Sequence, residues 1–158
     1  MRALIILSLL VPFATPARAQ PQAHGAFGSW AAFRDAGRCY AITQPVQASG
    51  GQNAQAFAAI GSWPGRGAQL NIRLSREKRA GSAVLLRVDG RLFQLVGNGR
   101  DAWAPDGRAD AEIQAAMRTG IDLSVETRAT DGLLVRDQYQ LRGAATAMDA
   151  AAIACARR

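Results

Sequence analysis

The run 83-AVLLRVDGRLFQLV-96 decides the fold class. Two apolar-rich stretches, residues 83–88 and 91–96, flank Asp89-Gly90. A two-residue loop between antiparallel strands favours a type I′ turn, whose two central positions both need positive φ, and Asp-Gly supplies them. Pairing outward from that turn sets Leu86 opposite Phe93 and Val84 opposite Leu95. The apolar side chains of both strands then share one face without a slip, which predicts a hairpin with one side on a core.

The next hairpin is decided in the same way. Residues 121–129 and 133–141 alternate on either side of Thr130-Asp131-Gly132. A two-residue loop would set Leu123 against Gln140 and mix polar with apolar faces. A three-residue loop with Gly132 left-handed sets Ile121 against Leu141 and Leu123 against Tyr139, so the three-residue form is expected. It turns Asp137 inward opposite Val125, where a carboxylate needs either a sheet rim or a hydrogen-bond partner.

Further out, residues 29–34 and 38–43 read as short strands joined at Asp35-Ala36-Gly37, and residues 48–55 as a flexible loop. Residues 56–63 form another strand. In residues 69–75, Leu70, Ile72 and Leu74 face one way while Gln69, Asn71, Arg73 and Ser75 face the other. A charged loop follows to Gly81, and Gly97-Asn98-Gly99 turns the chain toward residues 101–104. Residues 106–119 predict a helix capped by Asp106, with Asp110 and Glu112 early, Arg118 late, Gly120 as the stop and Ile113, Ala116 and Met117 as the buried stripe. A second helix is expected over residues 143–156, with Ala144, Met148, Ala151 and Cys155 on one face. About eight or nine short strands, two helices and no βαβ alternation predict a mainly β chain. The expected architecture is an antiparallel β-sandwich or partly open barrel with the two helices packed on one side.

The N-terminus carries a different signal. Met1-Arg2 is followed by an uncharged apolar run over residues 3–14, then Thr15-Pro16 and Ala17-Arg18-Ala19. This is the pattern of a secretory signal, and a run of about 12 residues is too short for a bilayer core that needs roughly 20. Cleavage after Ala19 leaves residues 20–28 as a flexible leader and residues 29–158 as a single β-rich domain in the periplasm or outside the cell. No later segment is long and apolar enough to span a membrane. The loss of Arg2 and Arg18 leaves 17 basic against 12 acidic residues, a balance of about +5. Two cysteines remain, Cys39 and Cys155. An even count in an exported chain points to a disulfide, with two free thiols as the alternative. A zinc site lacks ligands, because His24 is the single histidine.

That histidine also bears on catalysis. Ser-His-Asp and Cys-His mechanisms need an imidazole held in the fold, and His24 falls in the leader. Asp122 with Glu126, or Asp137 alone, are the carboxylates open to a hydrolase reading; the first two fall on the outward strand face. Neither Gly97-Asn98-Gly99 nor Gly65-Arg66-Gly67 has the context of a phosphate loop. No catalytic, cofactor or metal residues are therefore assigned, and no cofactor is expected. Trp30, Trp63 and Trp103 are candidate interface anchors, with Trp30 and Trp63 read as core and Trp103 as a contact residue on a loop. Arg73, Arg76, Lys78 and Arg79 form the one local cluster of cations. It lacks interleaved aromatics, so nucleic acid is not indicated. An envelope protein or an anionic glycan or lipid is the expected partner.

The order of these pieces resembles a known family. Ser82-Ala83-Val84-Leu85-Leu86-Arg87-Val88-Asp89-Gly90, a helix ending Ala116-Met117-Arg118-Thr119-Gly120, Leu123-Ser124-Val125, and Tyr139-Gln140-Leu141-Arg142-Gly143 before Ala147-Met148 follow the pattern of the invasion-associated locus B (IalB-like) family of exported proteins. Trp30 and Cys39-Tyr40-Ala41-Ile42-Thr43-Gln44 resemble its opening strands. The resemblance spans residues 29–150. It implies a periplasmic or envelope-associated β-sandwich, linked in pathogens to host-cell entry and without a known enzymatic mechanism. The family carries more cysteines, including a pair before the central helix where residues 96–106 here have none, so its disulfide pattern does not transfer.

Overall fold

Strand pairing in the computed structural model follows the turns. The structure describes residues 20–51, 54–62 and 67–156. Eleven strands form one antiparallel sheet: β1 (Gln22–Phe27), β2 (Trp30–Asp35), β3 (Arg38–Thr43), β4 (Gln47–Ala48), β5 (Phe57–Ser62), β6 (Gln69–Arg73), β7 (Val84–Val88), β8 (Arg91–Asn98), β9 (Asp101–Trp103), β10 (Asp122–Arg128) and β11 (Leu134–Gln140). Two helices, α1 (Gly107–Thr119) and α2 (Ala144–Ala156), complete the elements of the described residues. The strands run in the order β1-β2-β3-β5-β6-β9-β8-β7-β10-β11-β4, and the sheet curls into a half-barrel. The partly open barrel expected from the alternation is the form adopted.

The two hairpins take the predicted registers. Val84 lies opposite Leu95 and Leu86 opposite Phe93, with Asp89 and Gly90 at φ 45° and 96°. In the second hairpin Leu123 faces Tyr139 and Val125 faces Asp137. Ala129 N–H donates to the Leu133 carbonyl across the three-residue loop, where Gly132 is left-handed at φ 83°. Alternate residues of most strands enter one core, led by Trp30, Leu70, Ile72, Leu86, Leu123 and Tyr139. Helix α1 begins as expected: Asp106 caps it by accepting from Ala109 N–H at 2.8 Å. Ile113, Ala116 and Met117 are buried. Gly120 ends the helix in extended backbone, and it is small for a packing reason, since a Cβ there would lie 2.6 Å from Val88.

Closure of the curled sheet uses polar contacts. At one place the start of β2 meets the end of β11: Ser29 N–H donates to the Arg142 carbonyl at 3.2 Å and Trp30 Nε1–H to the Gln140 carbonyl at 2.9 Å. Gly143, at φ 92°, permits this approach, because a Cβ there would sit 1.8 Å from the Phe27 carbonyl oxygen. At the other place Asp137, fully buried, accepts from Ser75 N–H at 2.8 Å and from Ser49 N–H at 3.3 Å. One carboxylate thus joins β11 to the residue after β4 and to the exit of β6. A disulfide joins Cys39 on β3 to Cys155 on α2, with the two Cα atoms 5.8 Å apart. It anchors the last turn of α2 over β1, β2 and β3, the strands that this helix covers.

Four expectations are corrected. Residues 20–28 are not a leader without structure, because β1 pairs with β2 from Gln22↔Arg34 to Phe27↔Trp30, around a bulge near Gly25. Its side chains are almost all exposed, so its order comes from backbone pairing and leaves no hydrophobic trace. Within the expected flexible loop at 48–55, Ala48 belongs to β4, which adds to the edge of β11. Ser75 does not face outward: it is buried, and its Oγ accepts from Gly50 N–H at 3.1 Å. Trp103 lies on β9, paired with Val96 of β8, and not on a loop.

Candidate surface on the outer face of the sheet

On β2, β3, β5, β6, β8 and β9 the side that faces away from the core carries apolar and aromatic side chains. Registers of neighbouring strands place Ala31 beside Ile42, Ile42 beside Ala59, and Ala59 beside Asn71. The pairing of β6 with β9 sets Ile72 against Ala102; continued by one residue, it brings Asn71 alongside Trp103. Trp103 is in turn paired with Val96. A single cross-strand row therefore runs Ala31–Ile42–Ala59–Asn71–Trp103–Val96. Period-two alternation makes such a row possible only where every strand keeps register.

Aromatic rings flank the row. Phe33 stacks on Tyr40 with ring centroids 5.6 Å apart, and the Arg38 guanidinium lies 5.6 Å over the same Tyr40 ring. Phe57 stands on β5 opposite Arg73. Between these larger groups, Ala59 and Gly61 leave a shallow groove of about 330 Å³ that also touches Arg38, Tyr40, Ile42 and Phe57. Trp103 and Val96, 43% and 42% exposed, extend it toward β8. Burial raises the Tyr40 phenol above its ordinary value, and the Arg38 charge offsets part of that rise, so its hydroxyl is a neutral donor and acceptor at the groove edge.

The two cations beside the groove are paired. Arg38 binds Asp35 at 2.7 Å and Arg73 binds Asp101 at 3.0 Å. The groove is therefore apolar and close to neutral, with arginines that can stack but have little uncompensated charge. A second, larger cleft of about 670 Å³ opens beside β4. Gln44, Pro45, Val46, Gln47 and Gln55 are among its lining residues, and no charged or aromatic side chain is.

The residues singled out from sequence divide between two places. Arg73 and Trp103 share the outer face. Arg76, Lys78 and Arg79 leave β6 and run to the tip of the β10–β11 hairpin, where Arg76 pairs with Asp131 and Lys78 bridges to Ala129. Trp30 is in the core at 1% exposure; Trp63 lies outside the described residues, as does the signal segment 1–19. Tyr40, Phe57 and Phe33 were not singled out in advance. Their period-two spacing on strands was visible, but which face they shared depends on the β3–β5 pairing across an intervening strand and loop. The carboxylates considered for hydrolysis do not converge. Asp137 is engaged by two backbone amides, Glu126 pairs with Arg136 at 2.8 Å, and Asp122 is exposed at the start of β10. Among the described residues, no group of three or more metal-ligating side chains comes together.

The profile of the family described as "Invasion associated locus B (IalB) protein" matches residues 31–152, more than three-quarters of the chain. The chain belongs to the invasion associated locus B family. The resemblance carried by the two hairpins and the central helix is thereby borne out. A crystal structure of invasion associated protein b from Bartonella henselae superposes with a TM-score of 0.60 at 17% identity, covering 89% of this chain and all of the other. At that identity the likeness concerns the fold. No curated protein matches the chain in sequence. Among the described residues no helix is long and apolar enough to cross a membrane.

Proposed function

We propose that this IalB-family chain is exported, loses residues 1–19, and acts without catalysis as an interaction module that recognises a protein partner through the outer face of its sheet. The observation that carries this reading is the unbroken row from Ala31 to Val96 with Tyr40, Phe57 and Trp103 around a near-neutral groove. Exposed aromatic residues set among small ones are the usual anchors of protein interfaces, whereas charge is sparse at interface centres. The separate engagement of Asp137, Glu126 and Asp122 supports a non-enzymatic role. The family's association with invasion supports a partner met outside the cytoplasm. A photo-crosslinking amino acid at position 103, with one at Gln138 on β11, on the same face but outside the row, as control, tests the proposal in living cells. A discrete crosslinked species is expected from position 103, weakened about thirtyfold by Tyr40→Ala, the size of one hot-spot residue. Equal labelling from positions 103 and 138 would overturn it.

A further inference from the structure

The cations that leave the outer face gather at another feature, the tip of the β10–β11 hairpin. Two leucines there, Leu133 and Leu134, are 61% and 47% exposed. They stand on opposite sides of the ribbon, since Leu134 pairs with exposed Arg128 and Leu133 hydrogen-bonds across from buried Ala129. The tip is held rigidly. Asp131 accepts from Leu133 N–H at 3.0 Å and pairs with Arg76, which holds its carboxyl below the usual range. The strand bridge Lys78↔Ala129 and the bond from Arg79 N–H to the Arg128 carbonyl at 2.8 Å lash the preceding loop to it. Lys78, Arg79 and Arg128 form no salt bridge there among the described residues, and their charges collar the two leucines. The acids nearby are Glu77, Asp131 and Glu126, the last two already matched by Arg76 and Arg136.

We propose that this tip docks the protein on the surface of an anionic lipid bilayer, with Leu133 and Leu134 entering the headgroup–acyl boundary and Lys78, Arg79 and Arg128 against the lipid phosphates. Charge complementarity chooses this occupant over a protein groove. An exposed apolar pair beside three cations, of which the one unmatched acid, Glu77, offsets a single charge, suits an interface that is apolar inside and anionic at its rim, and peripheral binding strength combines those two contributions. The proposal is separate from partner recognition by the outer face, which lies on other strands. Flotation of the oxidised chain starting at Gln20 with vesicles of phosphatidylcholine and phosphatidylglycerol, against phosphatidylcholine alone, tests it. Binding is expected only to the anionic vesicles. Arg79→Gln and Arg128→Gln should each lower partitioning about fivefold, and Leu133→Ser with Leu134→Ser about tenfold or more. Trp103→Ser should leave it unchanged. These side chains are exposed, and an unchanged melting temperature verifies that the variants fold. Absence of binding to anionic vesicles at low salt, or binding that ignores the leucine changes, would overturn the proposal. So would equal competition by a soluble acidic polysaccharide, which would reassign the collar to glycan binding.

Discussion

Replacing Asp137 by alanine should unlatch the half-barrel at the place where β4, β6 and β11 meet. The carboxylate accepts from two backbone amides and faces no solvent. Removing it leaves the buried Ser75 N–H without a partner, at a cost of about 1–3 kcal/mol. The Ser49 N–H is only part-buried and its bond is longer, 3.3 Å, so water can replace the acceptor and the loss there is about 0.5–1 kcal/mol. Relief from burying a charge works in the opposite direction but does not cancel these losses, because the amides stay where they are. A net loss of about 2–3 kcal/mol follows, or roughly 10 °C in melting temperature for a chain of this size. Asp137→Asn keeps one acceptor oxygen and should lose about half as much. Asp137→Leu should not rescue, since it fills space without accepting from either amide. Chemical denaturation of the oxidised chain from Gln20 measures the loss, and hydrogen exchange at Ser75 locates it. A loss below about 0.5 kcal/mol with unchanged protection of the Ser75 amide would refute the latch.

Three further outcomes follow from other single groups. Ala36 sits at φ 44° in the turn between β2 and β3, where a Cβ is disfavoured, so Ala36→Gly should raise stability by about 0.5–1 kcal/mol in equilibrium unfolding, net of the added chain entropy. Reduction of the Cys39–Cys155 bridge, which spans 116 residues, should lower stability by about 4–5 kcal/mol in the chain-entropy account, and exchange should show α2 loosening first at its C-terminal turn. Among the described residues the buried Tyr139 hydroxyl has no hydrogen-bond partner; Tyr139→Phe should therefore be neutral or stabilising by up to about 1 kcal/mol. Burial, with a smaller contribution from the Asp137 charge, holds that phenol well above its ordinary value. Its neutral form is thus favoured in the folded state. The associated stability is complete below the unfolded value near 10 and is lost as pH rises beyond it, by up to about 1.4 kcal/mol per pH unit. Denaturation at pH 9 and pH 11 should show a shallower alkaline loss for the phenylalanine variant.

Most of the architecture was legible because turn chemistry and apolar register agree. Asp89-Gly90 permits one favoured turn, and the apolar faces on both sides accept it. At Thr130-Asp131-Gly132 the register had to choose between two loop lengths, and the pairs Ile121–Leu141 and Leu123–Tyr139 chose the longer; Leu123↔Tyr139 does face the core, whereas Ile121 at the strand start is exposed. The helix cap at Asp106 is likewise a local contact. What escaped was the fate of polar groups whose partners are distant in sequence. Ser75 looked outward by alternation, yet the Gly50 amide needs its oxygen. Asp110 looked like a charge for the helix dipole, and it is buried, accepting from Leu70 N–H of β6 at 3.0 Å. Strand β1 has almost no buried side chains, so only its pairing with β2 reveals it.

The same separation explains why the chain's positive balance misleads when read as one number. The cations beside the groove, Arg38 and Arg73, are spoken for by Asp35 and Asp101. A surface that pairs its charges in advance offers an incoming protein apolar contact with little desolvation of unmatched ions. At the hairpin tip the matching is incomplete, and Arg128 joins Lys78 and Arg79 only because Arg79 donates its amide to the Arg128 carbonyl. Charge there remains available to an anionic surface, at a distance within which counterions at physiological salt screen but do not abolish it. Two functions can therefore be separated by salt. Partner recognition at the outer face should persist when ionic strength rises, whereas docking through the tip should weaken, and a single chain examined at two salt concentrations would reveal whether the two surfaces act independently.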